Sequence, residues 1–307
     1  MKRYAKILIC ILLLGAMLCV GCEEGNDISF AVNDTLPDGE GRVATVILIG
    51  GQSNASGCGR DDYLQINVSE EKYAEYKNGY DNVYINYLAG PKLSCGFVKC
   101  ATLQGEMDGC FGPELGLADK LHELYPERMF FIIKCAWGGS NLHEQWISPS
   151  SFGRTGEFYI QFTEFVRSSI EYLELKNYDV NIEAMCWMQG ESDSFSVAKA
   201  KKYETYLNNF INDIRKEFEM YASRDGIAFV DAYIAENPIY WIYYEYINAS
   251  KRAVAEKSPM NVLVDTVAHG LICSEEPWEN PDLAHYDSMS QIKLGHLFAE
   301  EVAFFLD

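Results

Sequence analysis

A serine in a glycine-flanked turn and a histidine three residues after an aspartate have the types and spacing to do chemistry in this 307-residue chain. The turn reads Gly50-Gly51-Gln52-Ser53-Asn54-Ala55-Ser56-Gly57, and the second segment Asp282-Leu283-Ala284-His285. A serine hydroxyl attacks a carbonyl only when a base takes its proton. That base works best when a carboxylate fixes its tautomer and stabilises the imidazolium. Asp282 and His285 supply carboxylate and base from one loop, and Ser53 supplies the hydroxyl. On its own, the serine turn reads equally as a glycine turn capped by Ser or Asn. It is neither a Gly-x-Ser-x-Gly elbow nor a phosphate-binding loop, because no Gly-Lys-Ser/Thr follows. Two further loops bring donors for an oxyanion: Gly138-Gly139 through backbone amides, and Gln189 of Gln189-Gly190-Glu191-Ser192-Asp193 through its side-chain amide. Asp193 is expected to cap the helix that follows it. Of the other histidines, His122 and His296 fall on helices, and His143 and His269 are loop residues held in reserve.

The elements needed to position these loops are legible. Ala44–Gly50 is a continuous apolar, β-branched run, as expected of a parallel strand buried on both faces. Similar runs are Val83–Leu88, Met129–Cys135, Ala184–Met188, Ile227–Val230 and Val262–Val264. Helix periodicity lies between them: 113–125, 156–175, 197–218 with one apolar face, and 288–305 at the end. Strand–helix alternation implies right-handed crossovers and a mostly parallel sheet covered on both faces. Such sheets carry their sites beyond the carboxyl ends of the strands, where the Ser53, Gly139 and Gln189 loops fall.

Composition narrows the partners. With 25 Lys and Arg against 45 Asp and Glu, the formal charge is −20, which repels nucleic-acid phosphates and anionic membrane surfaces. Lys2, Arg3 and Lys6 precede an apolar run over 7–20 that ends at Gly21-Cys22, the layout of a secretory signal. Residues 1–22 are expected to be a leader of the lipoprotein type, with a lipid on Cys22, and plain secretion is the alternative. Residues 23–42 form an acidic tether and 43–307 one catalytic domain. The only membrane contact expected is that lipid, and the location is outside the cytoplasm. Cys135 and Cys186 fall in strand-like runs as buried thiols, whereas Cys95, Cys100 and Cys110 share a loop in which a bridge is open. No ligand spacing for zinc occurs, so neither a metal nor a cofactor is called for.

Gly51-Gln52-Ser53-Asn54, Gly112-Pro113-Glu114, Gly138-Gly139-Ser140, Trp187-x-Gln189-Gly190-Glu191-Ser192-Asp193 and Asp282-x-x-His285, in that order, resemble one family. It is the sialate O-acetylesterase and carbohydrate esterase family 6 (acetylxylan esterase-like) group of the SGNH hydrolases, and the resemblance runs over residues 43–303. It implies a three-layer α/β/α flavodoxin-like fold and metal-independent removal of acetyl groups from sugars through an acetyl-serine intermediate. By position, Ser53 is similar to the nucleophile, His285 to the base and Asp282 to its carboxylate. The Ser53 amide, Gly139 and Gln189 then form the oxyanion hole, with Glu191 as an alternative acid or a support for the serine loop. The partner implied is an acetylated oligo- or polysaccharide, acetylxylan or related, with a sialate ester or a non-catalytic glycan-binding lipoprotein as alternatives. Trp137, Trp146 and the Cys95–Cys110 loop are the expected sugar-facing rim.

Overall fold

Strand β1 (Val43–Gly51) is apolar on both faces and lies at the centre of the sheet. The computed structural model describes residues 36–151 and 154–306, so the leader and the tether up to residue 35 lie outside the described residues. Along the chain, β1 is followed by helix α1 (Ser53–Ser56), β2 (Gly59–Arg60), α2 (Asp61–Asn67), α3 (Glu70–Asn78), β3 (Val83–Ala89), β4 (Lys92–Leu93), β5 (Val98–Lys99) and β6 (Cys110–Phe111). Next come α4 (Pro113–Leu124), β7 (Phe130–Ala136), α5 (Glu157–Leu175), β8 (Asp179–Met188), α6 (Val197–Ala200), α7 (Tyr203–Glu217) and β9 (Ala228–Ala232). The last elements are α8 (Tyr244–Ala255), β10 (Asn261–Val264) and α9 (Ser288–Ala303).

The main sheet has the order β10-β9-β8-β1-β7-β3-β4, with β5 also paired to β3. Every pair from β10 to β3 is parallel, and only the short edge strands β4 and β5 run antiparallel. Helices cover both faces, so the fold is the three-layer α/β/α arrangement expected from the alternation. Because the chain crosses β1 to reach β8 after β7, the strand order switches direction at β1, where a crevice must open. Register sets its height. Gly51 is level with Ala136 of β7 and with Met188 of β8, so the three loops leave the sheet side by side.

On one face α4 and α9 cross at two glycines. A Cβ on Gly116 would lie 2.0 Å from the Ile292 carbonyl oxygen, and one on Gly295 would lie 2.1 Å from that of Pro113. The backbones therefore touch where any side chain would hold them apart. On the other face the rings of Trp146, Trp187 and Phe210 pack edge-on and tilted at centroid distances of 4.6–6.3 Å. Trp146 is fully buried there, with its indole N–H donated to Ser140 Oγ at 2.7 Å, so it is core and not rim. Trp137 is half-buried and stacks flat on Phe158 at 5.0 Å.

Some elements depart from the sequence expectation. The apolar stripe over 197–218 is interrupted at Lys201 and Lys202, and Tyr203 opens the second helix with its hydroxyl on the Gln189 carbonyl at 2.9 Å. Helices α2, α3 and α8 were not read from the sequence. In α3 only Tyr76 is buried, so no apolar period exists to be seen; its N-terminus is fixed by the Ser69 side chain, which accepts from the Lys72 N–H. Cys135 and Cys186 are buried thiols in β7 and β8, and Cys100 and Cys110 are thiols not bridged to one another.

Candidate active site

Ser53 is the first residue of α1, directly beyond β1, and only 9% of it is exposed. Its two neighbours hold it there. Gln52 is buried, and its side-chain oxygen accepts from Gln189 Nε2 at 3.2 Å and from the amides of Gly190 and Ser192 at 3.3 and 3.2 Å. Asn54, also buried, donates through Nδ2 to Glu191 Oε1 at 2.9 Å, and its oxygen accepts from the Tyr286 N–H at 3.0 Å. Asn54 therefore ties the serine turn to the residue beside His285. Neither residue was singled out from the sequence, although both belong to the block that carries the resemblance. Gly51, at φ 137°, allows the sharp exit from the strand: a Cβ there would lie 2.0 Å from the Met188 carbonyl oxygen.

His285 lies on the loop before α9, its side chain about a quarter exposed, and its Nδ1 is 2.6 Å from Asp282 Oδ2. Asp282 Oδ1 also accepts from the Ala284 N–H at 3.0 Å, which closes the turn between them. The hydrogen bond from His285 holds the Asp282 carboxyl below the usual range. For His285 burial disfavours the charge, but hydrogen bonds to Asp282 and to the Cys58 side chain outweigh it and push the ring up to about 10. Cys58 is thus the second neighbour of the imidazole, a contact that no spacing rule disclosed.

The two acidic residues of the Gln189–Asp193 loop hold loops together. Burial pushes the Glu191 carboxyl up; one of its oxygens receives Asn54, and it makes no hydrogen bond to His285. Asp193, expected as a helix cap, instead reaches across and accepts the amides of Leu142 and His143 at 2.7 and 3.2 Å. That fixes the segment after Gly139. Gln189, expected as an oxyanion donor, is fully buried, and its Nε2 faces Gln52 Oε1, the Ser140 carbonyl at 3.1 Å and Asp193 Oδ2 at 2.7 Å. Three acceptors already compete for two N–H groups, so its amide ties loops together and is not presented to the cleft. The sequence could not separate these alternatives, since a buried amide and a presented one look the same.

Gly138 and Gly139 differ. The Gly138 N–H donates to Glu106 Oε2 at 3.1 Å, and the Glu106 carboxyl also receives the Ser56 hydroxyl. Gly139 has φ 67°, and a Cβ on it would meet nothing within 4 Å, so it faces open space. Below the site, Lys134 of β7 and Glu114 of α4 form a fully buried ion pair at 2.8 Å. Lys134 Nζ also donates to the Ser56 carbonyl at 3.1 Å, at the end of α1, and to that of Gln104 at 2.9 Å. Of the remaining histidines, His296 lies 2.8 Å from Asp119, His122 contacts Asn82, the His143 ring packs on Tyr206, and His269 is exposed.

A family model described as carbohydrate esterase, sialic acid-specific acetylesterase, matches residues 43–303. No curated protein sequence matches the chain. Among solved structures, a protein from Arabidopsis thaliana superposes with a TM-score of 0.61 at 18% identity, covering 85% of this chain and 98% of the other. NanS superposes equally well, 0.61 at 16% identity, covering 88% and 98%. A carbohydrate acetylesterase from Xanthomonas citri gives 0.56 at 15% identity, with 85% of this chain covering 56% of that one. At such identities these likenesses speak for the fold.

Proposed function

Because the chain belongs to the sialic acid-specific acetylesterase family of carbohydrate esterases, we propose that it is an exported serine esterase acting through an acetyl-Ser53 intermediate. Its class is that of a carbohydrate acetylesterase, a carboxylic ester hydrolase. The observation that carries the finer assignment is the Asp282–His285 pair at 2.6 Å, on a loop that Asn54 stitches to the Ser53 turn. His285 takes the Ser53 proton as Oγ attacks the acetyl carbonyl. The oxyanion rests on the amides of Ser53 and Gly139, the loss of one such donor costing about 3 kcal/mol. His285 returns the proton to the departing sugar oxygen. It then deprotonates the water that attacks acetyl-Ser53, and acetate leaves as the serine is restored. Export rests on the basic-then-apolar leader over residues 1–22, and anchoring on a lipid at Cys22.

The test is acetate release by the purified protein from acetylated xylooligosaccharides and from O-acetylated sialic acid, with rapid acid quenching and peptide mass analysis. Release from either sugar with acetyl recovered on Ser53 is the expected result. Release from neither, or acetyl on another side chain, overturns the proposal.

The pH profile gives a second check. Only neutral His285 accepts the serine proton, and its folded pKa is raised from the ordinary 6.5. The active fraction therefore grows as pH rises, and the acid limb of kcat/KM should lie above pH 6.5. Cys58→Ala removes one of the hydrogen bonds that raise the ring, so its limb should move to lower pH. A wild-type limb at or below 6.5 would contradict this account of the base.

A further inference from the structure

Trp278 stands seven residues before His285 in an exposed loop, and 66% of it is accessible. A single exposed apolar side chain is ordinary. This one is held in place. Its ring meets Tyr63 edge-on at 5.1 Å, and its backbone N–H donates to the Tyr63 hydroxyl at 2.9 Å. The Arg60 guanidinium lies over the other ring, 5.3 Å from the Tyr63 centroid. Tyr63 belongs to α2, ten residues after Ser53, so the segments bearing the nucleophile and the base each lend one aromatic.

The loop that carries Trp278 is itself anchored. The buried Glu276 side chain accepts the N–H and hydroxyl of Ser288 at 2.7 Å each, at the start of α9. Asp287 accepts the amides of Glu275 and Glu276 at 3.0 and 3.2 Å, and the Asp282 N–H donates to the Glu276 carbonyl at 2.9 Å. An indole fixed in this way loses little conformational entropy when a ligand covers it. Its flat face suits the C–H face of a pyranose ring. The charge around it selects the ring: Glu275 and Glu279 are exposed on the same loop, and Arg60 is already paired with Asp62 at 2.6 Å. A sugar carboxylate would be repelled there.

We infer that Trp278, backed by Tyr63, is a stacking subsite for a neutral pyranose next to the acetylated residue, so that the substrate is a neutral acetylated oligosaccharide. The inference rests on the esterase assignment above. It is tested with Trp278→Ala and Trp278→Phe on an acetylated xylooligosaccharide and on a small aryl acetate that is too short to reach the loop. The ratio of kcat/KM for oligosaccharide to that for aryl acetate should fall roughly tenfold in Trp278→Ala, through KM, with partial recovery in Trp278→Phe. An unchanged ratio, or equal losses on both substrates, overturns the subsite. Wild-type preference for O-acetylated sialic acid over the xylooligosaccharide also overturns it. If the wild type cleaves neither sugar nor the aryl acetate, the esterase assignment fails instead, and the outcomes are distinct.

Discussion

Ser53→Ala should reduce acetate release by about 10⁶-fold in kcat while leaving the thermal unfolding curve in place, as expected when a nucleophile is lost but binding survives. The hydroxyl makes no hydrogen bond that the fold requires, since the clamps on either side belong to Gln52 and Asn54. Asp282→Asn should cost about 10⁴-fold, because an amide in place of the carboxylate supports the wrong imidazole tautomer. Glu191→Gln is the informative control. Glu191 bonds Asn54 and not His285, so its replacement should act by loosening the turn, with a smaller loss in rate and a visible loss in melting temperature. Equal rate losses for Asp282→Asn and Glu191→Gln would reassign the carboxylate. Steady-state kinetics beside differential scanning calorimetry decides the matter.

The second large effect concerns stability. Lys134 and Glu114 are wholly buried, and the ammonium also donates to the carbonyls of Ser56 and Gln104. Lys134→Met leaves Glu114 charged and unmatched in a dry interior, a change expected to cost about 3–5 kcal/mol. For a chain of this size that is a fall in melting temperature on the order of 10 °C. The double variant Lys134→Met with Glu114→Leu should recover most of the loss, because burying two charges costs nearly what their attraction returns. A single variant within 1 kcal/mol of wild type in urea unfolding would show that the pair is not coupled to folding. Because Lys134 also holds the end of α1, the single variant should lose activity before it unfolds globally.

Much of the architecture is legible in the chain because parallel strands buried on both faces are continuous apolar runs. Six such runs locate the strands at 43–51, 83–89, 130–136, 179–188, 228–232 and 261–264. The Asp282–His285 pairing is legible for a local reason: three residues in a turn leave few places for the two side chains except against one another. What sequence does not carry is the direction in which a polar side chain points. Gln189 and Asp193 have the chemistry of a donor and a cap, yet both are spent binding one loop to the next. Their partners come from the turn after β1 and from the segment after β7, more than 45 residues away in the case of Leu142 and Asp193. The tryptophans make the same point. Trp146, beside the glycine loop in sequence, is core, whereas Trp278, in an acidic loop without apolar period, is exposed.

The glycine crossing of α4 and α9 bears on how this enzyme can be engineered. Exchanging a helical glycine for alanine is a routine route to greater heat resistance, worth up to about 1 kcal/mol where the site tolerates a methyl. At Gly116 and Gly295 the methyl would land on a carbonyl oxygen, so the same exchange must wedge the helices apart. Since the histidine loop runs straight into the first turn of α9, the wedge would also displace the base from the serine. Stabilising libraries should therefore leave both glycines untouched, and a survivor with alanine at either position is expected to have traded turnover for solubility.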